Sequence, residues 1–526
     1  MNGPEFISIF NDVLGPVMRG PSSSHTAGSY HIGRLTRSLL GEDPASASFT
    51  FDPDGSYAVT FRMQNADKAF AAGLMEWDLT DDRFDRALDF ASKNDLGLVF
   101  EIALIDGADH PNSVKIHARG RSGGDLHVLA KSTGGGGFLI QQLEDWPVAI
   151  NGKYFETMAL LDQNDIAGIE KILNAGYGNI HLSQGGHRDE ILLTIQASEA
   201  LPESFRAELE QTACVKKIWT VRPIFQPKRG EPLFNSAAEM VRFAAENGLT
   251  LGTAALRYEA RILGLSEKDA MDEMLRRFKI MASAVELGSR ENNVKMKLLE
   301  PSAGQVLDAE KKGRLAVGGI HARAAGRALA VLHISNSGGV VCAAPTGGSA
   351  GVLPGVFVTL AEERGLPPQE IGLALFAAGA IGLIVAKRAT FAAEVAGCQV
   401  EIGAAGAMAA AGVIEVAGGT ARQAVDAAAI AFQNTMGSVC DLVQGLCEIP
   451  CHTRNAVAAS NAFVLADLVL GGYRNPIPLD ETIDAVLASG KMLPPELLCT
   501  SQGGLAVTPS ALAMTPGGNK RGRIHP

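Results

Sequence analysis

Cysteine is the residue of this chain with the clearest capacity for chemistry. There are seven, Cys214, Cys342, Cys398, Cys440, Cys447, Cys451 and Cys499, and six lie beyond residue 340. Disulfides are rare in a reducing compartment, so grouped cysteines point to metal or redox chemistry. The alternative is that free cysteines are small buried hydrophobes. Cys398 sits in AGCQVEIGAAG, and Cys440, Cys447 and Cys451 share GSVCDLVQGLCEIPCHTRNA. No pair of C-x-x-C motifs marks a zinc ribbon, and no ferredoxin-type cysteine run occurs. Spacings of 42 residues from Cys398 to Cys440 and 11 from Cys440 to Cys451 leave both readings open.

A second group is the run Ser22, Ser23, Ser24, His25, Thr26. Consecutive small hydroxyl residues leave backbone N–H groups free to hold a carboxylate. His25 titrates near neutral pH and can act as acid or base beside Ser24. Two glycine-rich stretches, STGGGGF with Gly135 and Gly136 and PTGGSAG with Thr346 and Gly347, let backbone approach a ligand closely. Each can equally be a tight turn or a phosphate cup. Arg454 and Asn455 follow Cys451. Arg454 can pair bidentately with a substrate carboxylate or form an internal salt bridge. His31, His110, Cys214 and Cys342 read as structural, and Cys447 as packing rather than ligand.

The elements that must position these groups define an α+β protein. Residues 1–150 read as a mixed α/β domain. A β-hairpin is expected where ASFTF and YAVTF flank DPDG, with strands in LGLVFEIAL, SVKIHA and DLHVLA. Residues 151–226 follow a β-α-β-β-α-β order, the ferredoxin-like plan, and resemble an ACT domain, a module that binds amino acids; a plain structural spacer is the other reading. QPKRGEPLFNS is a linker candidate. Residues 235–512 carry apolar residues at helical spacing and are expected to form an all-helical domain. Residues 513–526 are expected to be a disordered tail.

Composition narrows the function classes. Net charge is −11, charged residues are 20% and no basic stripe occurs, which argues against nucleic acid. The longest apolar run, Ile371 to Ala386, falls short of the roughly 20 residues that span a bilayer. No signal-peptide pattern opens the chain. A cytoplasmic protein without a membrane partner is expected.

Taken in order, GPSSSHTAGS, APTGGSAGVLPG, GCQVEIG, VCDLVQGLCEIPC, RNA and SQGGLA resemble the iron-sulfur-dependent L-serine dehydratases along nearly the whole chain. The β, ACT-like and α portions are fused here. The resemblance implies a 4Fe-4S cluster held by Cys398, Cys440 and Cys451, with one iron open to act as a Lewis acid. It implies an amino-acid substrate held by Ser22, Ser23, Ser24, Thr26, Gly135, Gly136, Thr346, Gly347, Arg454 and Asn455. It implies His25 and Ser24 as catalytic groups. A homodimer is expected, because ACT-like modules commonly pair. CDLVQG departs from the family's CDPVAG at Leu442 and Gln444, and Leu498 and Cys499 stand where relatives show Arg-Glu. These departures leave another β-substituted amino acid open as substrate. A pyridoxal-phosphate dehydratase, with Lys491 as its lysine, and an amino-acid or oxygen sensor without turnover are the rival readings.

Overall fold

The computed structural model describes residues 6–515, apart from 166–167, 169–171, 173–175, 177, 185–188, 291 and 293. The first helix expected in the ACT-like segment and most of the expected tail lie largely outside the described residues. The strands are β1 (Val17–Arg19), β2 (Pro44–Phe51), β3 (Gly97–Ile102), β4 (Ser113–Gly120), β5 (Asp125–Gly134), β6 (Gly137–Leu143), β7 (Trp146–Ile150), β8 (Phe155–Asp162), β9 (Asn179–Gln184), β10 (Glu190–Ala197), β11 (Val215–Val221) and β12 (Val340–Cys342). With helices filling most of the C-terminal half, the class is α+β.

The first sheet has the order β3-β2-β4-β5-β6-β7. Its alternating apolar residues, Phe49 and Phe51, Val114 and Ile116, Leu126 and Val128, form one core with helices Gly28–Leu40 and Ala66–Leu74. The hairpin expected across Asp52–Gly55 does not form. Residues Ser56–Thr60 are a short helix. Both edges of β2 are already filled, by β3 in parallel and β4 in antiparallel register. The Ser56 amide donates to the Pro111 carbonyl (2.8 Å), and Tyr57 and Phe61, four residues apart, each meet Phe51 at 5.0 Å between ring centres. Four-residue spacing of aromatics on one face is a helical pattern.

The second sheet is antiparallel with the order β11-β8-β10-β9, the ferredoxin-like arrangement. One face carries Ala159, Leu161, Leu193 and Ile195 against Phe205 and Leu209 of the helix Glu203–Gln211. The other, with Met158, Leu192, Trp219 and Val221, joins the core of the first sheet.

Helices dominate from Ala237 onward. Ser236, Thr250, Ser266 and Thr420 each accept the N3 amide through the side chain and so fix where their helices begin. The core here is built from small residues. Two helices, Pro368–Arg388 and Cys398–Val416, are long and apolar enough to cross a membrane, but 78% and 83% of their apolar windows are buried inside the protein.

Residues 6–14, counted with the N-terminal domain by sequence, pack instead in this helical core. Gly379 and Gly382 open the surface of the helix Pro368–Arg388 for Ile9 and Val13; a Cβ on Gly379 would lie 2.7 Å from Ile9 Cγ2. The segment then pairs β1 with β12, the one strand of the otherwise helical half among the described residues.

Candidate active site

Three separate segments bring cysteines together. Cys398 follows Gly397, whose φ of +76° turns the chain between two short helical pieces. Cys440 pairs backbone to backbone with the C-terminal stretch: its amide donates to Leu497 O and its carbonyl accepts from Cys499 N, both at 2.8 Å. Cys451 begins the helix Cys451–Leu470. All five cysteines from 398 onward are buried. The Cys440 thiol lies beside those of Cys398 and Cys499, and the Cys451 thiol beside that of Cys447. The Cys440 thiol and the Arg454 guanidinium, 3.5 Å from Cys398 Sγ, hold the Cys398 thiol below its ordinary range. The Cys398 and Cys447 thiols respectively push Cys440 and Cys451 well above theirs.

Motif residues without sulfur brace this group. Arg454 donates to Val439 O (2.8 Å) and to Asp441 Oδ1 (3.0 Å), so the internal salt bridge left open by sequence is formed. Asp441 Oδ2 in turn accepts the Leu505 amide (2.9 Å) of SQGGLA. Ser501 Oγ donates to Leu442 O (2.8 Å). Asn455 donates to Gly348 O (2.8 Å) and accepts from Gly351 N (3.2 Å), which fastens the PTGGSAG loop to the cysteine-bearing helix. Thr346 Oγ1 lies 3.0 Å from Ser349 Oγ inside that loop. Gln444 turns away, donating to Ala511 O (3.0 Å).

The serine-rich turn comes from the other half. Ser23–Ala27 is a π-helical turn leading directly into the helix Gly28–Leu40, and Ser22 caps it by accepting the His25 amide (3.1 Å). Thr26 Oγ1 donates to Gln64 O (2.8 Å) and Ser132 Oγ to Ser24 O (2.8 Å), so the turn is held from two sides. It packs against the glycine loop: a Cβ on Gly347 would lie 2.9 Å from Pro21 O and 3.0 Å from Ser23 N. Gly135 and Gly136, both with positive φ, cross the seam between the halves; Gly135 faces Phe391 and Pro345, and the Gly136 carbonyl accepts from His31 Nδ1 (2.8 Å).

His25 links the halves. Its Nε2 is 3.1 Å from Ser56 Oγ, and that hydroxyl donates to the carbonyl of Cys499 (3.2 Å). With the Ser56 proton so committed, Nε2 is the donor side and Nδ1 carries the lone pair, 3.3 Å from Ser22 Oγ. Burial, with a smaller effect from His110, depresses His25 to about 3. The imidazole is neutral at physiological pH.

Sequence reasoning missed Ser56, Tyr57, Asn112, Asp441 and two buried carboxylates, Glu394 and Glu401. Burial raises both carboxyl groups above their ordinary range, Glu401 strongly. Glu394 accepts from Ser24 and Asn112, and Glu401 from Thr346. A signal was available: between Arg388 and Arg422 the charged residues are Glu394, Glu401 and Glu415, set in an Ala/Gly-rich stretch around Cys398.

Known proteins resemble this chain in sequence. The family model described as serine dehydratase alpha chain matches residues 235–506, the segment that holds every clustered cysteine. The chain belongs to the serine dehydratase alpha chain family. The probable L-serine dehydratase alpha chain of Bacillus subtilis (strain 168) is 35% identical over 278 residues, 53% of this chain and 93% of that protein. The L-serine dehydratase alpha chain of Peptoniphilus asaccharolyticus is 33% identical over 275 residues, 52% and 94% of the two chains. The L-serine dehydratase TdcG of Escherichia coli (strain K12) is 32% identical over 282 residues, covering 52% and 62%. Membership makes the chain an enzyme of the carbon-oxygen lyase type. In this serine dehydratase the α portion and the N-terminal half with its serine-rich turn are one polypeptide.

Proposed function

We propose that the chain converts L-serine to pyruvate and ammonia by β-elimination of water, as a cytoplasmic homodimer with a 4Fe-4S cluster on Cys398, Cys440 and Cys451. The donor set fits such a group. Five buried thiols from three segments gather without a histidine among their hydrogen-bond partners, and sulfur-only sets suit iron-sulfur rather than hard cations. Arg454 beside Cys398 offsets thiolate charge. When bound through three thiolates, the cluster supplies a Lewis-acidic iron toward the substrate's β-hydroxyl.

The remaining work falls to the chain's own residues. The Ser23 and Ser24 amides open the helix that runs to Leu40, where N–H groups lack carbonyl partners and favour an anion. The substrate carboxylate binds there. Nδ1 of His25 accepts the Cα proton through the Ser22 hydroxyl, and the aminoacrylate released tautomerises and hydrolyses to pyruvate and ammonia. Gly347, pressed against the serine-rich turn, and Gly135 and Gly136 at the seam keep water out. Asn455 and Arg454 position the glycine loop and Cys398. The middle unit acts as an ACT-like amino-acid-binding module.

The observation that carries this reading is the path His25–Ser56–Cys499–Cys440, which joins a neutral base to the cysteine group across the two halves. Anaerobic protein is given L-serine, and pyruvate is followed before and after air exposure. Production that fails after air, and that is lost together with iron in Cys398→Ser, Cys440→Ser and Cys451→Ser, is expected. Iron-loaded protein that makes no pyruvate would remove serine as substrate.

A further inference from the structure

We propose that Glu394 recognises the substrate's α-ammonium group and so restricts the site to amino acids over hydroxy acids of the same shape. This deepens the proposed function and rests on it for where the substrate lies.

Glu394 is 3% exposed, and no lysine or arginine forms an ion pair with it among the described residues. A buried carboxylate without a cation is costly, because desolvation is not offset by an opposite charge. Its two side-chain partners, the amide of Asn112 and the hydroxyl of Ser24, are neutral donors from the N-terminal half. On Asn112 and on the residues next in sequence to these partners, three polar atoms are buried and without hydrogen bonds: Ser23 Oγ, Asn112 Oδ1 and Ser113 Oγ. Ser23 adjoins Ser24, Ser113 adjoins Asn112, and Asn112 Oδ1 is on the same amide that holds Glu394. Glu394 and Asn112 thus form an acceptor group, and Ser24, whose hydroxyl lies beside Glu394, belongs to the turn whose amides open the helix.

A ligand that satisfies both the acceptor group and the turn presents positively charged N–H donors to the first and a carboxylate to the second. An α-amino acid does so. A 2-hydroxy acid offers one neutral O–H to the acceptor group and leaves Glu394 without its charge partner. Glu401, the other buried carboxylate, lies in the field of Cys398 and of Glu394 itself, but it also has Thr346 and the Arg454 cation near it, which Glu394 lacks.

The test is anaerobic calorimetric titration with L-alanine and L-lactate, which share a shape and lack a leaving group. The wild-type chain is expected to bind L-alanine more tightly by over about tenfold, since a site built for a polar group rejects the analogue lacking it. Glu394→Gln should weaken L-alanine by a similar factor and leave L-lactate unchanged. Glu394→Asp, which keeps the charge, should retain the preference and decides the matter if the glutamine variant does not fold. Equal wild-type affinity for the two probes, an unchanged ratio in Glu394→Gln, or a preference lost in folded Glu394→Asp overturns the proposal. Alanine preference in a wild-type chain that makes no pyruvate from serine would leave the ammonium site standing and remove the dehydratase reading.

Discussion

Arg454 separates two ways in which a charged residue beside a buried cysteine can matter. Its guanidinium is shared among Cys398 Sγ, Val439 O and Asp441 Oδ1, and Asp441 carries the connection on to Leu505. Planar guanidinium geometry makes that sharing possible, and a lysine ammonium cannot reproduce it. Arg454→Lys is therefore expected to lower the iron and sulfide retained on purification, with kcat falling in proportion and the KM for serine changing less than about twofold. A large rise in KM at full iron content would instead place the guanidinium on the substrate. The serine-rich turn and the Arg-Asn pair were readable in sequence because each is contiguous, and the cysteine group because each of its separate segments has a distinctive local context. Glu394 and Glu401 were not singled out, because an isolated acid becomes informative only once burial and the absence of a counter-charge are known.

At the scale of elements, alternation in the strands was legible and the partnering of their edges was not. The Tyr57 segment has β-favouring residues, yet β2 has no free edge to offer it, so the segment turns helical and carries Ser56 to within reach of His25. The ferredoxin-like order was legible for a different reason: each of its strands is short and bounded by turn residues. Its sheet also carries an element-scale weakness. Glu156 on β8 lies opposite Val221 and Gln196 on the face turned toward the N-terminal domain, and burial raises it to about 8. An unfolded glutamate titrates near 4.5. Below that pH both states are protonated and the group's contribution is fully present. Between 4.5 and about 8 the unfolded chain ionises while the folded chain does not, so stability is lost as pH rises, on the order of 1 kcal/mol per unit. Glu156→Gln is expected to gain stability over wild type progressively from pH 5 to 8 and to hold the gain at pH 9. Urea denaturation at these pH values measures it; a difference that does not vary with pH would show that Glu156 is ionised in the folded state.

For the whole molecule, the candidate site depends on two halves that sequence divides at a linker and that packing joins elsewhere. The N-terminal strand of chain is the joint. Residues 6–14 are buried in the helical core, β1 pairs with β12, and the chain then runs straight into the serine-rich turn. The anchor of this segment is Glu259, a fully buried carboxylate that accepts from Ser8 Oγ (2.5 Å), Ile9 N (2.8 Å) and Phe10 N (2.9 Å). Arg277 holds the other end through the carbonyls of Phe10 and Leu14. Glu259→Ala strands three buried donors, at a cost of about 1–3 kcal/mol for each that finds no new partner. If the segment is what couples the halves, the loss is not confined to stability. The serine-rich turn should slip relative to the cysteine group, and kcat should fall more than iron content does. Scanning calorimetry should show one transition for the wild-type chain and two for the variant, with the N-terminal half melting first. One transition at an unchanged midpoint would mean that the seam of Gly135, Gly347 and the Ser56–Cys499 contact holds the halves together without the anchor. In that case closure of the site would be a property of the interface alone, and the burial of residues 6–14 would serve the helical core.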